Sequence, residues 1–224
     1  MQRKIITTGD GSKTIHIEEW NEQYHSVHGA INEANHVYLK HGLLFFLSQI
    51  SKNREVSILE IGFGTGLNAF LTLIEAEKRQ QKINYTGVEA YPVKQEEIEI
   101  LNYPELISTK YKEEFYTIHD STWEEQVKIS KNFSIIKEQK LFEHIADNSK
   151  YDIVYFDAFG ARVQPELWTE TIFRIMYKAM KSNAVLVTYS AKGSVKRALK
   201  SVGFEIERLE GPPNKRHMLR AVKR

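Results

Sequence analysis

At 224 residues, with 42% hydrophobic and 27% charged residues, the chain has the composition of a globular domain long enough to bury a core. It contains no cysteine, which excludes disulfides, cysteine-ligated zinc and thiolate nucleophiles, and no run of about 18 apolar residues that would suggest a membrane span. The formal net charge of +2 hides an asymmetry: residues 1–159 hold 17 Lys/Arg against 24 Asp/Glu, net −7, and residues 160–224 hold 14 against 5, net +9. A basic C-terminal third on an acidic body favours a polyanionic partner such as nucleic acid, against the commonplace alternative of a solvated Lys-rich face. Arg3 and Lys4 are followed by no apolar block of signal-peptide length, so a cytoplasmic setting is expected.

In chain order, residues 1–42 do not follow the alternation seen later. They hold the turn signal Asp10-Gly11-Ser12 and the dense stretch Tyr24 to Glu33, and read as a small N-terminal appendage lying over the sheet of a domain formed by 43–224. From there the pattern predicts a helix over 43–51, a strand over 56–61, a helix from Leu67 to about Lys78 and a strand over 84–89. Helical residues 93–101, a weak strand over 132–136, a strong strand over 151–156 and a helix over 166–180 follow. A β-rich run over 184–189, a helix over 193–201 and strands over 204–209 and 218–222 complete the chain. Alternating β and α elements predict an α/β fold with a doubly wound, mostly parallel sheet. The last two strands, joined through Gly211-Pro212-Pro213-Asn214-Lys215, predict an antiparallel edge.

The most informative stretch is Val56-Ser-Ile-Leu-Glu60-Ile-Gly62-Phe63-Gly64-Thr65-Gly66, an apolar strand entering a glycine-rich turn. Such a turn lets backbone approach a ligand closely, and the helix behind it aims free N–H groups over the turn. Leu67 stands where a dinucleotide fingerprint needs its third glycine, so a pyrophosphate cradle is disfavoured. Glu89 closes the next strand, where a carboxylate is suited to accept both ribose hydroxyls of a nucleoside cofactor. Asp157 ends the 151–156 strand and is expected at the same crevice, as a functional carboxylate rather than a helix N-cap. Phe63, Phe159 and Trp168 flank that crevice, as core or as stacking surfaces. His25, His28 and His36 have no carboxylate or Cys set completing a site, so no metal is expected. Ser26 lacks the Gly-x-Ser-x-Gly setting of a nucleophile.

The Glu60-x-Gly62-x-Gly64-x-Gly66 form looks like the first motif of S-adenosylmethionine (SAM)-dependent methyltransferases. Beyond it, the chain resembles the methyltransferase domain of the bifunctional tRNA wobble-uridine modification proteins of the MnmC family and their stand-alone relatives. That resemblance is carried by Asp10-Gly11-Ser12, Tyr24-His25-Ser26 with Gly29-Ala30 and Glu33, Glu60 to Gly66, and Glu89 with Tyr91-Pro92. It continues through Asp157-Ala158-Phe159, Gln164-Pro165-Glu166-Leu167-Trp168, Tyr189-Ser190-Ala191-Lys192-Gly193 and Gly211 to Arg216. It implies a Rossmann-like class I SAM-dependent methyltransferase fold and methyl transfer from SAM to the amine of 5-aminomethyl(-2-thio)uridine at the tRNA wobble position. The larger family proteins make that amine with a flavin-dependent domain that 224 residues cannot hold, so a separate enzyme is expected to supply it.

By the same resemblance, Tyr24, Ser26, Glu33, Glu60, Gly62, Phe63, Gly64, Thr65, Gly66, Glu89 and Asp157 are expected at the cofactor, with Asp157 and Phe159 at the chemistry. Arg162, Lys192, Lys196, Arg197, Lys215 and Arg216 are expected against tRNA phosphates. The chain departs from the family at Gly160-Ala161, where relatives carry Ala-Pro, and the adenine contact is left between Asp120 and the Gln139-Lys140 region. Two other readings stand beside this one. A small-molecule amine methyltransferase or aminopropyltransferase would not need the basic C-terminal third. A non-catalytic RNA- or protein-binding module would tolerate loss of Glu60, Glu89 or Asp157.

Overall fold

The computed structural model describes residues 2–51 and 54–224. Three short strands, β1 (Arg3–Thr7), β2 (Lys13–Ile17) and β3 (Glu22–Gln23), form a small antiparallel sheet. A continuous helical run follows: α1 (Ala30–Ala34), a π-wound stretch (Asn35–Leu44) and α2 (Phe45–Ser48). The run buries Val37, Tyr38, Leu39 and Leu43 in the same core as the main sheet. A domain boundary after residue 42 would therefore cut through one packed helical run, and β1–β3 alone stand apart as a cover.

The main sheet comprises β4 (Val56–Ile61), β5 (Ile83–Val88), β6 (Gln126–Lys128), β7 (Phe133–Glu138), β8 (Tyr151–Phe156), β9 (Met180–Thr188), β10 (Glu205–Glu210) and β11 (His217–Val222). Their order is β10-β11-β9-β8-β4-β5-β7-β6. The five central strands are parallel. β11 and β10 close one edge antiparallel, and β6 closes the other. β4 and β8 have the bounds their sequences predict, because strands buried on both faces are predominantly apolar; the exceptions, Glu60 and Asp152, are buried and hydrogen-bonded. One face of the sheet packs on the 30–48 helical run, α3 (Leu67–Arg79) and α6 (Lys112–Asp120). The other packs on α7 (Glu170–Ala179) and α8 (Gly193–Val202). The short helices α4 (Gln95–Ile98) and α5 (Tyr103–Ile107) lie between β5 and α6.

The chain leaves β4 toward β5 and β7, then returns to β8 on β4's other side. That reversal opens a crevice beyond the carboxyl ends of β4 and β8, the place where open α/β sheets bind ligands. The helix expected over 166–180 is broken. Pro165–Trp168 make a tight 3₁₀ turn, Thr169 is extended, and α7 begins only at Glu170. The break lets the buried Trp168 turn inward and donate from Nε1 to the Phe159 carbonyl at 2.8 Å. No helix among the described residues is long and apolar enough to cross a membrane.

Candidate functional site

A cavity of about 630 Å³ lies between the ends of β4, β5 and β8 and the small N-terminal sheet. Gly62 and Gly64 form its floor. At Gly62 φ is +87°, and a Cβ would stand 2.7 Å from the Asp157 carbonyl oxygen; at Gly64 φ is +48°, and a Cβ would stand 2.9 Å from the Tyr24 ring. The turn is thus closed to any side chain, and its own amides are spent within the fold, those of Gly62 and Phe63 on the Val88 carbonyl at 3.0 and 3.1 Å and that of Gly66 on the Phe63 carbonyl at 2.9 Å. The free N–H groups lie at the start of α3, where Leu67 and Asn68 line the cavity. Glu89, one residue past β5, accepts from Gly64 N at 3.1 Å with one carboxylate oxygen and from Tyr91 N at 3.0 Å with the other. Its carboxylate therefore lies at the cavity wall, held by backbone.

Asp157 sits across from this turn, just past β8. Its Oδ1 accepts from the Tyr38 hydroxyl at 2.6 Å and its Oδ2 from Asn68 Nδ2 at 2.8 Å. The same Asn68 nitrogen donates to Glu60 Oε1 at 2.8 Å, and the Tyr85 hydroxyl donates to Glu60 Oε2 at 2.8 Å. Burial is the main force raising the Asp157 carboxyl to about 7; the Glu33 charge adds to it, and the Tyr38 and Asn68 hydrogen bonds and Lys215 oppose it. Burial likewise drives Glu60 well above the usual carboxylate range, helped by the charges of Asp157 and Glu89. Glu60 is deep in the sheet, whereas Asp157 still touches the cavity. Glu60 therefore keeps a proton in conditions where Asp157 can lose one.

An aromatic wall faces Asp157. Phe159 meets Tyr24 edge to face at 4.9 Å and Trp20 at 5.5 Å. The Tyr189 hydroxyl donates to the Ala158 carbonyl at 2.9 Å, and Lys215 Nζ lies 4.3 Å from the Tyr189 ring centre and 2.5 Å from Glu33 Oε2. Among the described residues, the cavity is lined by seven carboxylates (Glu22, Glu33, Glu60, Glu89, Glu143, Asp157 and Glu166) against Arg3 and Lys215. Such a cavity favours a cationic or amine-bearing ligand.

Most residues expected at the cofactor meet here: Tyr24, Ser26, Glu33, Glu60, Gly62, Phe63, Gly64, Glu89 and Asp157 line the cavity, as do Phe159 and Lys215. Thr65 and Gly66 do not. Thr65 is buried and bonds the Tyr103 hydroxyl at 3.2 Å, and Gly66 starts α3. The Phe63 ring packs down onto Gly87, His119 and Trp123, so it serves the core. His25 is partly buried at the cavity wall and pushed down to about 4 by desolvation, which keeps its ring neutral, and its Nδ1 lies 3.1 Å from Thr14 Oγ1.

Neither Asp120 nor Gln139-Lys140 reaches the cavity: the Gln139 amide donates to Glu124 Oε1 at 2.7 Å, and Lys140 pairs with Glu138 at 2.8 Å. Ala90, Tyr91, Leu141, Phe142 and Glu143 form that end of the wall instead. Sequence reasoning missed Tyr38, Asn68 and Tyr85. Asn68 alone left a signal, as a polar residue in the first turn of an otherwise apolar helix start.

Of the cations expected against phosphate, Lys192, Lys196, Arg197 and Arg216 are exposed. Arg162 is tied to the cover: its Nη2 donates to the carbonyls of Trp20 (2.9 Å) and Asn21 (2.8 Å) and to Glu22 Oε2 (3.0 Å). Arg162→Ala is expected to speed amide hydrogen exchange around residues 20–24 about tenfold or more. Global stability should drop by less than about 1 kcal/mol, because the side chain is mostly exposed. Exchange mass spectrometry beside a urea titration checks both.

Residues 102–224 match the family described as S-adenosyl-L-methionine-dependent methyltransferase. The chain is 27% identical over 213 residues to the tRNA 5-methylaminomethyl-2-thiouridine biosynthesis bifunctional protein MnmC of Idiomarina loihiensis, covering 89% of this chain and 35% of that protein. It is 27% identical over 225 residues to the protein of that name from Legionella pneumophila, covering 90% and 34%. The chain thus spans about a third of the length of these curated relatives. Among solved structures, MNMC2 from Aquifex aeolicus superposes with a TM-score of 0.79 at 23% identity, covering 98% of this chain and 69% of that one. Spermidine synthase from Thermotoga maritima shares the fold more distantly, with a TM-score of 0.54 at 15% identity, covering 99% and 68%. With over half its length matched by that family, and with the glycine turn, strand-end carboxylates and crevice on one class I fold, this chain belongs to the S-adenosyl-L-methionine-dependent methyltransferases.

Proposed function

We propose that this chain methylates the primary amine of 5-aminomethyl(-2-thio)uridine at the tRNA wobble position, giving the 5-methylaminomethyl nucleoside, in a cytoplasmic setting. The observation that carries the reading is the acid-lined cavity, in which a largely buried Asp157 with a raised pKa still touches the cavity and faces an aromatic wall. The MnmC proteins that match about 90% of the chain carry this modification in their names.

The cradle fits the cofactor. Backbone at Gly62 and Gly64 would hold its methionine end, Glu89 its ribose hydroxyls, and Ala90, Tyr91 and Leu141–Glu143 its adenine, with Tyr24 and Ser26, just past the cover's last strand, and Glu33 of α1 closing over it. When bound, SAM supplies an electrophilic methyl group on a sulfonium. An alkylamine is mostly protonated near neutral pH and has no free lone pair, so it must lose a proton before it can attack. Ionised Asp157 accepts that proton from R–NH₃⁺, leaving R–NH₂ and a neutral carboxyl. The freed lone pair forms the new N–C bond while the S–C bond breaks, and Asp157 later returns its proton to water. Phe159, braced by Trp20, Tyr24 and Trp168, fixes the amine in line with the methyl group.

The exposed cations Lys192, Lys196, Arg197 and Arg216 would take tRNA phosphates near the mouth. Each alanine replacement among them is expected to lower the slope of log affinity against log salt by about 0.7–0.9; tRNA binding followed from low to high salt reads this. The enzymatic test compares uptake of labelled methyl by tRNA from a strain lacking the gene, by tRNA from its parent, and by free polyamines. Uptake confined to the first supports the reading, and equal uptake by polyamines overturns it in favour of a small-molecule amine acceptor.

A further inference from the structure

Asn68 is buried (2% exposed), lies in the first turn of α3, and spends its amide in an unusual way. A primary amide nitrogen carries two hydrogens, and here both are used: one on Glu60 Oε1 and one on Asp157 Oδ2, each at 2.8 Å. Its Oδ1 is buried without a partner. The reversed amide would set that oxygen against two carboxylates, so only one orientation is workable. A buried orphan oxygen costs stability, and an apolar side chain of this size would leave none. Packing therefore does not account for an asparagine at this position; the two carboxylates do.

We propose that Asn68 is a positioning residue for the methyl transfer, gripping Asp157 and Glu60 through one nitrogen so that Asp157 meets the acceptor amine ionised and in one fixed orientation. The inference rests on the functional reading above. With Tyr38 on Asp157 Oδ1 and Tyr85 on Glu60 Oε2, each carboxylate is held at both oxygens, and neither can rotate away from the other. Two adjacent carboxylates in a poorly solvated site do not both ionise freely. The Asn68 hydrogen bond favours the charge on either carboxyl; Glu60, deeper and without an ion pair among the described residues, retains the proton, so the charge falls on the shallower Asp157. The other titratable groups facing Asp157 are Tyr38 and Glu33 from the helical run, Tyr189 from the end of β9, and Lys215 from the C-terminal loop.

The test titrates Asp157 directly in the intact chain labelled with ¹³C at the aspartate carboxyl carbons, using NMR and identifying the Asp157 signal by its loss in Asp157→Asn. No acceptor is needed. In Asn68→Ala the Asp157 midpoint should rise by about one pH unit or more, and in Asn68→Ser, which keeps one donor, by less. The acid limb of the methyl-transfer profile should shift with it, lowering kcat about tenfold one unit below the wild-type limb while KM for SAM stays within about threefold. An unmoved midpoint in the folded variants overturns the proposal, as does a kcat loss equal at every pH. Failure of both variants to fold also overturns it, by making Asn68 structural. If the wild-type protein does not methylate tRNA, the functional reading fails, and the NMR titration still decides whether Asn68 sets the ionisation of Asp157.

Discussion

Replacing Asp157 with alanine is expected to lower methyl transfer by about 10²- to 10⁴-fold, the usual contribution of a positioned general base, with SAM affinity changed far less. The reason lies in how Asp157 is held. Its carboxyl is raised to about 7, chiefly by burial, yet it touches the cavity, so it can take a proton from an ammonium and give it up again near neutral pH. Only the ionised form accepts a proton. Wild-type kcat should therefore climb as pH rises through about 7, and the variant's residual rate should lack that limb. Single-turnover rates between pH 5.5 and 9, beside calorimetric SAM binding, check both halves. Wild-type turnover in Asp157→Ala with SAM bound would remove Asp157 from the chemistry.

Gly62→Ala carries the second large effect, on the cofactor rather than the acceptor. A Cβ there would stand 2.7 Å from the Asp157 carbonyl oxygen and 3.2 Å from its carbon, both backbone atoms at the end of a central strand, at a φ of +87°. Neither the strain nor the clash can relax through a side chain, so a loss of about 1–3 kcal/mol in stability is expected, together with at least a tenfold loss of SAM affinity. Gly64→Ala meets the Tyr24 ring instead, which belongs to the cover and can shift. It should therefore cost less stability while still weakening cofactor binding. Urea unfolding and calorimetry on the two variants separate these outcomes.

The strands that build the crevice were legible because their physics is local. β4 and β8 are mostly apolar runs, broken only by Ser57 and Glu60 and by Asp152, that end just before Gly62 and Asp157, and β5 starts only one residue before its expected bound. The antiparallel β10–β11 edge followed from two strand-like segments around a Pro-Pro loop, one alternating Ile206 and Leu209 with charged residues and one largely apolar. The three-residue β6, the helices between 103 and 120 and the π-wound stretch carry no comparable periodicity; tertiary packing makes them.

At the site, Glu60, Glu89 and Asp157 were readable as carboxylates at strand ends. Their partners were not, since Tyr38 and Asn68 reach Asp157 across 119 and 89 residues. Lys137 is the sharpest case. It lies one residue past the strand expected over 132–136, where no sequence pattern marks burial, yet it is buried, donates to the His119 carbonyl and lies 5.1 Å from the Trp123 ring centre, with burial lowering it to about 8.

The most direct test of the central claim is nucleoside analysis. Transfer RNA from a strain lacking this gene is incubated with the protein and methyl-labelled SAM, digested, and its nucleosides resolved by mass spectrometry. The proposed function predicts label in 5-methylaminomethyluridine or its 2-thio form, with matching loss of the 5-aminomethyl precursor. Label in any other nucleoside, or none in tRNA while SAM binds normally, would contradict it.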